Sequence, residues 1–349
     1  MHYWWRNTGL GTRLSQEERL GIEDVTGKLP ILLNVLDKLP IQANDQGGLE
    51  EMQDLFQHLL GGLSQSREVL LMRRRILHFG ECQKEKYKDS TNITRFRDAW
   101  HACIVGGRVT MNMEQYLDWR HFYVHDGDGG VTCGVVRRAA TDFLRSFGNP
   151  EDFLRPQWSH SLRLAGGNVC MLGFVVEQMV LSWMALRGCG FIERRFGERP
   201  TTMLVDAIPK DVLKGQSGVV LYIPTVYNFP AVDAVLVQTG PENTAAIYGI
   251  QVTISQTHSN SEEMFFRKWE SWLDQLGLPH EKVHFGFVWV LEDRGFRPAR
   301  ENVPEKVVTL RGDRKLVYPA FERHRFTVGE VDKEIGSKLA GARARVRRL

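Results

Sequence analysis

Cysteine is scarce in this chain. Cys82, Cys103, Cys133, Cys170 and Cys189 are the five among 349 residues, and none forms a C-x-x-C pair. That spacing speaks against a zinc ribbon or a dithiol redox motif and reads as reduced, mostly buried thiols. No apolar run approaches the roughly 18 residues that a membrane-spanning helix needs, so no membrane partner is expected. The opening Met1-His2-Tyr3-Trp4-Trp5-Arg6 lacks the apolar core of a secretory signal. Neither sign of charge is in excess: 45 Lys and Arg against 42 Asp and Glu leave +3, too little to imply a polyanionic partner by itself. No G-x-x-x-x-G-K-[S/T] phosphate loop occurs, and Gly9-Leu10-Gly11-Thr12 is a poor substitute, so no ATP site is expected. Internal repeats and low-complexity tracts are missing too.

What remains is the composition of a globular protein, 42% hydrophobic and 25% charged, which excludes collagen-like, mucin-like and wholly disordered chains. The length suits two or three domains. The first half reads as helical. Ser15 can cap a helix whose first turn holds Glu17 and Glu18, and Gly27 and Pro30 end that pattern before Ile31 to Leu36 begin another. Leu49, Met52, Leu55, Phe56, Leu59 and Leu60 recur at helical spacing, as do Val69, Leu70, Ile76 and Leu77. Arg73-Arg74-Arg75 spreads three bases around the latter helix. A further helix runs from Val135 to Phe147.

The helix after Gly173 is apolar on nearly all sides, which marks it as buried, and Glu177 sits inside it. The texture then changes to short β-branched and aromatic runs at Val219–Ile223, Ala231–Gln238 and Ala245–Ser255. Residues 260–276 read as a helix with Trp269 and Trp272 on its apolar face, and Val283–Val290 as one more buried strand. The order is helix, three strands, helix, strand. The last 17 residues gather Lys333, Lys338, Arg343, Arg345, Arg347 and Arg348 against Glu334. Such a tail reads either as a phosphate contact or nuclear address, or as a solvated terminus.

Glu177, Asp233 and Gln251 therefore fall on neighbouring elements of one sheet. Two acids and an amide oxygen are a donor set that a hard, oxygen-seeking cation such as Mg2+ accepts, and a metal so held activates water against a phosphodiester. Asp233 interrupts an apolar strand, where an unpaired charge is costly to bury. Other patterns carry less. Asp126-Gly127-Asp128 lacks the later glutamate of a calcium loop, the pair His121 and His125 lacks the H-E-x-x-H glutamate, and Asn92-Ile93-Thr94 is a sequon without a secretory signal. Trp269, Trp272 and Trp289 read as core rather than as a base-stacking platform.

The order and spacing resemble the PD-(D/E)xK nuclease superfamily, with its αβββαβ core. Within it, Leu221-Tyr222-Ile223-Pro224, Asn228-Phe229-Pro230-Ala231-Val232-Asp233 and Gln251-Val252-Thr253-Ile254-Ser255 resemble the nuclease-like domain of Crinkler effectors and trypanosome retrotransposon hot spot proteins. Upstream, Ile22–Leu33 resembles the end of the P-loop NTPase module of those proteins, and Cys133-Gly134-Val135-Val136-Arg137-Arg138-Ala139 their helical connector. The resemblance implies an α/β protein of four parts: residues 1–60 as the NTPase remnant, 61–169 as a helical connector, 170–295 as the restriction-endonuclease-like core, and 296–349 as an extension with a basic tail. The chain would then be the back portion of a longer architecture. It further implies metal-dependent cleavage or binding of nucleic acid, most simply DNA, in nucleus or cytoplasm, including a host nucleus. Glu177, Asp233 and Gln251 would hold Mg2+. Thr253 stands where active relatives carry lysine and cannot replace an ammonium, which leaves His258 or Lys268 to manage the attacking water. The alternative is an inactive nuclease-fold platform for nucleic acid or a host nuclear protein.

Overall fold

The computed structural model describes residues 2–8, 10–39, 49–86, 133–146, 162, 169–205, 218–224, 232–240, 244–254, 261–277, 280–292, 299–309 and 315–346. The chain divides into two compact units, Met1–Gln157 and Trp158–Leu349. The expected Asp126 loop, the His121/His125 pair, the Asn92 sequon and His258 lie outside the described residues.

In the first unit the described elements are all helical: α1 (His2–Asn7), α2 (Leu10–Arg13), α3 (Gln16–Thr26), α4 (Pro30–Lys38), α5 (Leu49–Ser64), α6 (Arg67–Lys86) and α7 (Gly134–Ser146). Ser15 caps α3 as expected. Its hydroxyl accepts from the Glu18 N–H at 3.2 Å while the Glu18 carboxylate accepts from the Ser15 N–H at 2.7 Å, so two of the orphan donors of the first turn are satisfied. Gly27 closes the helix in the left-handed region at φ 57°. Ile22, Leu32, Leu36, Leu59 and Val136 are fully buried. Arg137 of α7 pairs with Asp24 of α3. Arg73 faces Asp142 of α7 at 3.6 Å, so the first base of the arginine triplet joins two helices.

The second unit begins with α8 (Val169–Arg187), whose Val175, Val176, Val180 and Met184 are fully buried. The strands β1 (Thr201–Val205), β2 (Gly218–Pro224), β3 (Ala234–Thr239), β4 (Ala245–Thr253), β5 (Val283–Leu291), β6 (Ala299–Val303) and β9 (Phe321–Thr327) form one sheet in the order β1-β2-β3-β4-β5-β9-β6. The pairs β1/β2, β4/β5 and β5/β9 are parallel and the others antiparallel. A separate hairpin pairs β7 (Lys306–Thr309) with β8 (Lys315–Tyr318). Helices α9 (Ser261–Phe266), α10 (Trp269–Leu276), α11 (Val328–Val331) and α12 (Lys333–Val346) complete the unit.

The mixed α/β class holds, and the order helix, three strands, helix, strand lies inside this sheet. Three features extend it. The short strand β1 stands between α8 and β2, the expected single helix over 260–276 is two helices, and β9 and β6 continue the sheet beyond β5. The stretch after residue 295 is thus partly integral to the sheet.

Strand alternation sorts the two faces. Val235, Val237, Ile247, Phe285, Phe287 and Trp289 share a core with Phe265, Phe266, Trp269 and Trp272 of α9 and α10, and the three tryptophans are core as expected. On the opposite face lies α8. A Cβ on its Gly173 would meet the Ile254 side chain at 3.5 Å, and its Trp183 packs edge-on against Phe191, which meets Phe326 of β9. The basic terminus is no solvated tail over its described part. It forms α12 with Ile335, Leu339 and Ala342 buried, and Arg343 donates to both oxygens of Glu292 at 3.0 Å.

Candidate functional site

Asp233 immediately precedes β3. Its N–H donates to the Ile250 carbonyl at 2.8 Å, and its Oδ2 accepts from Gln251 Nε2 at 2.8 Å and from the Val252 N–H at 2.7 Å. The half-buried carboxylate therefore ties the entry of β3 to the end of β4. The structure does bring Asp233 and Gln251 together. Gln251, 8% exposed, takes the same side of β4 as Ile247 and Gly249, whose absent Cβ would meet Phe265 of α9 at 3.1 Å. Thr253, also buried, follows the same alternation.

Glu177 belongs to the other face. It rides on α8, half-buried, and accepts from Gln178 Nε2 at 2.9 Å. Lys268 is exposed at the N-cap of α10, without a side-chain capping bond. Of the three residues expected to hold Mg2+, Asp233 and Gln251 are joined by the Gln251 amide N–H, and Glu177 is carried by α8.

A second cluster lies on the α8 face and involves none of those residues. Glu193 precedes a 3-10 turn (Arg194–Phe196), His284 stands near the start of β5, and Glu322 near the start of β9. One ligand atom from each lies within 4.8 Å of the others. Tyr248 of β4 donates its hydroxyl to Glu193 at 2.5 Å, and Arg195 pairs with the same carboxylate at 2.7 Å. Burial first, then the neighbouring Glu193 charge, pushes the Tyr248 hydroxyl well above its ordinary pKa. Burial pushes the Glu322 carboxyl up, yet Arg300 and the neighbouring histidines outweigh it and hold the group below its usual value. His324, 2% exposed, has its Nε2 at 3.2 Å from Glu322. Its burial, with Arg300 nearby, outweighs that partner and holds its pKa below the ordinary imidazole value.

Sequence reasoning missed this cluster because its members come from a loop and two distant strands, without a shared spacing. The only local signals were a histidine inside the apolar run of β5 and charges inside β9. Elsewhere, burial raises the Cys133 thiol to about 11 and the Cys189 thiol to about 12, and Cys82, Cys133 and Cys189 are all free. These two buried thiols are unreactive at neutral pH, in keeping with the reduced reading. No described helix is long and apolar enough to cross a membrane.

No family model matches the chain, and comparisons with curated proteins and with solved structures likewise found no match.

Proposed function

We propose that the second unit binds nucleic acid, most simply duplex DNA, on a nuclease-like scaffold, without cleaving it. One observation carries this choice between the two readings of the resemblance. Asp233 Oδ2 is engaged by the Gln251 amide and the Val252 N–H, so a neutral donor stands where a hydrolase would place a second acid. Among the described residues, Thr253, which stands where a lysine is expected, is buried and carries no ammonium, and Lys268 is exposed at the N-cap of α10. The scaffold itself supports the reading through its order of elements, helix, strands, helix, strand. The same resemblance makes the nucleus or the cytoplasm the setting, and a host nuclear protein the alternative ligand.

The test pairs two assays on the full chain. Fluorescence anisotropy with a labelled duplex should show binding that weakens steeply with salt, as phosphate contacts require. A supercoiled plasmid incubated with magnesium should remain intact. Nicking by the wild type that vanishes in Asp233→Ala would overturn the inactive reading, and the absence of duplex binding would overturn the nucleic-acid role.

A further inference from the structure

We propose that Glu193, His284 and Glu322 form a binding site for a divalent transition metal, best suited to Zn2+, whose place is held by the Arg300 guanidinium. The site stands apart from the Asp233 region and does not depend on the nucleic-acid reading.

The donors come from three chain segments that the fold fixes independently. The loop carrying Glu193 is pinned by the Cys189 N–H to Phe196 carbonyl bond at 2.7 Å. His284 and Glu322 stand on adjacent parallel strands, where Glu322 is in register with Gly286. Their ligand atoms lie within 4.8 Å of one another, whereas donors about 2.0–2.2 Å from a zinc ion sit some 3–3.5 Å apart. Small side-chain rotations close that difference. His324 adds a second imidazole beside Glu322 at 3.2 Å. Imidazole with carboxylates selects zinc or a neighbouring transition ion over magnesium, which prefers oxygen alone.

A separate observation shows that this point attracts positive charge. Arg300 of the edge strand β6 pairs with Glu322 and places the same Nη2 at 3.9 Å from Glu193. Its side chain is 56% exposed, so it withdraws into solvent without disturbing the core. A dication exchanging with it exchanges one bridging cation for another, while Arg195 keeps its own pairing with Glu193. Arg300 is thus a built-in competitor. The prediction that separates this site from incidental surface binding is its sign: removing a positive side chain at the rim should tighten metal binding.

The test uses the full chain, stripped with a chelator and titrated with ZnCl2 by calorimetry, with metal content read after dialysis. One zinc per chain is expected. His284→Ala and Glu322→Gln should weaken binding by about tenfold or more, the scale on which disturbing a metal shell acts, and Arg300→Gln should tighten it. His284 is 42% exposed, so His284→Ala should keep the wild-type circular dichroism. Cobalt(II) provides a readout without ligand variants, since four- or five-coordinate ligation gives visible absorption bands that Arg300→Gln should strengthen. Zinc uptake unchanged in His284→Ala, weaker uptake in Arg300→Gln, or no uptake by either wild type or Arg300→Gln would overturn the site.

Discussion

The ring of Tyr248 lies against the backbone of Gly286, so close that a Cβ on the glycine would sit 2.2 Å from the ring carbons. The two residues face each other across the parallel β4/β5 pair. This seat aims the Tyr248 hydroxyl at Glu193. Gly286→Ala should force the ring off its position and destabilise the protein by roughly 1–3 kcal/mol, the usual cost of overpacking. Thermal denaturation measures it, and an unchanged melting temperature would contradict the contact.

Asp233 is the acceptor for two N–H groups rather than a bystander charge. Asp233→Ala leaves both donors without that oxygen and should cost about 1–3 kcal/mol. Asp233→Asn retains a carbonyl oxygen in the same place and should cost less. Urea melts of the two variants give the ranking; equal losses would mean that the charge matters more than the hydrogen bonds.

Tyr222 is fully buried beside Trp272, and its hydroxyl has no hydrogen-bond partner among the described residues. Burial raises its pKa to about 12. Removing an unsatisfied hydroxyl relieves a desolvation cost, so Tyr222→Phe should stabilise the chain by up to about 1 kcal/mol. A lower melting temperature for Tyr222→Phe would show that the oxygen is satisfied after all.

Glu23 accepts from Trp5 Nε1 at 2.8 Å and pairs with Lys28 at 3.0 Å. Burial alone would raise its carboxyl, but Trp5 and Lys28 outweigh that and hold the group below its ordinary value. A lowered folded-state pKa contributes stability that is complete above the ordinary carboxylate range. That contribution is lost as pH falls through the lowered value. The stability gap between wild type and Glu23→Gln should therefore be widest near neutrality and shrink in acid. A gap independent of pH would remove Glu23 from the acid response.

Much of the sheet was legible because its central strands are written in apolar, β-branched and aromatic residues. Val219–Ile223, Ala245–Thr253 and Val283–Leu291 declare themselves that way. The edges were not. In β6, Ala-Arg-Glu-Asn-Val is exposed or half-buried throughout, and in β9 Phe-Glu-Arg-His-Arg-Phe-Thr places charges at successive positions. Cross-strand ion pairs explain both, with Arg323 and Arg325 of β9 bonded to Glu301 of β6. Such pairing depends on register, which no local pattern reveals. Asp233 was legible as a charge that needed a partner, whereas Gln251, which donates to it, was singled out as a metal ligand and not as that partner. The sidedness of Glu177 was not, because a helix apolar all round does not announce which flank meets the sheet.

The parallel pairing of β5 with β9 has a practical consequence for anyone dividing the chain. A fragment ending at residue 295 would retain Val-His-Phe-Gly-Phe-Val-Trp-Val-Leu of β5 but discard the strand that covers its hydrogen-bonding edge. Long, uncharged, aromatic edges recruit other chains. The charged strands β9 and β6 cover that edge, so a fragment ending at residue 295 should aggregate more readily than the full chain, which light scattering on the two would check.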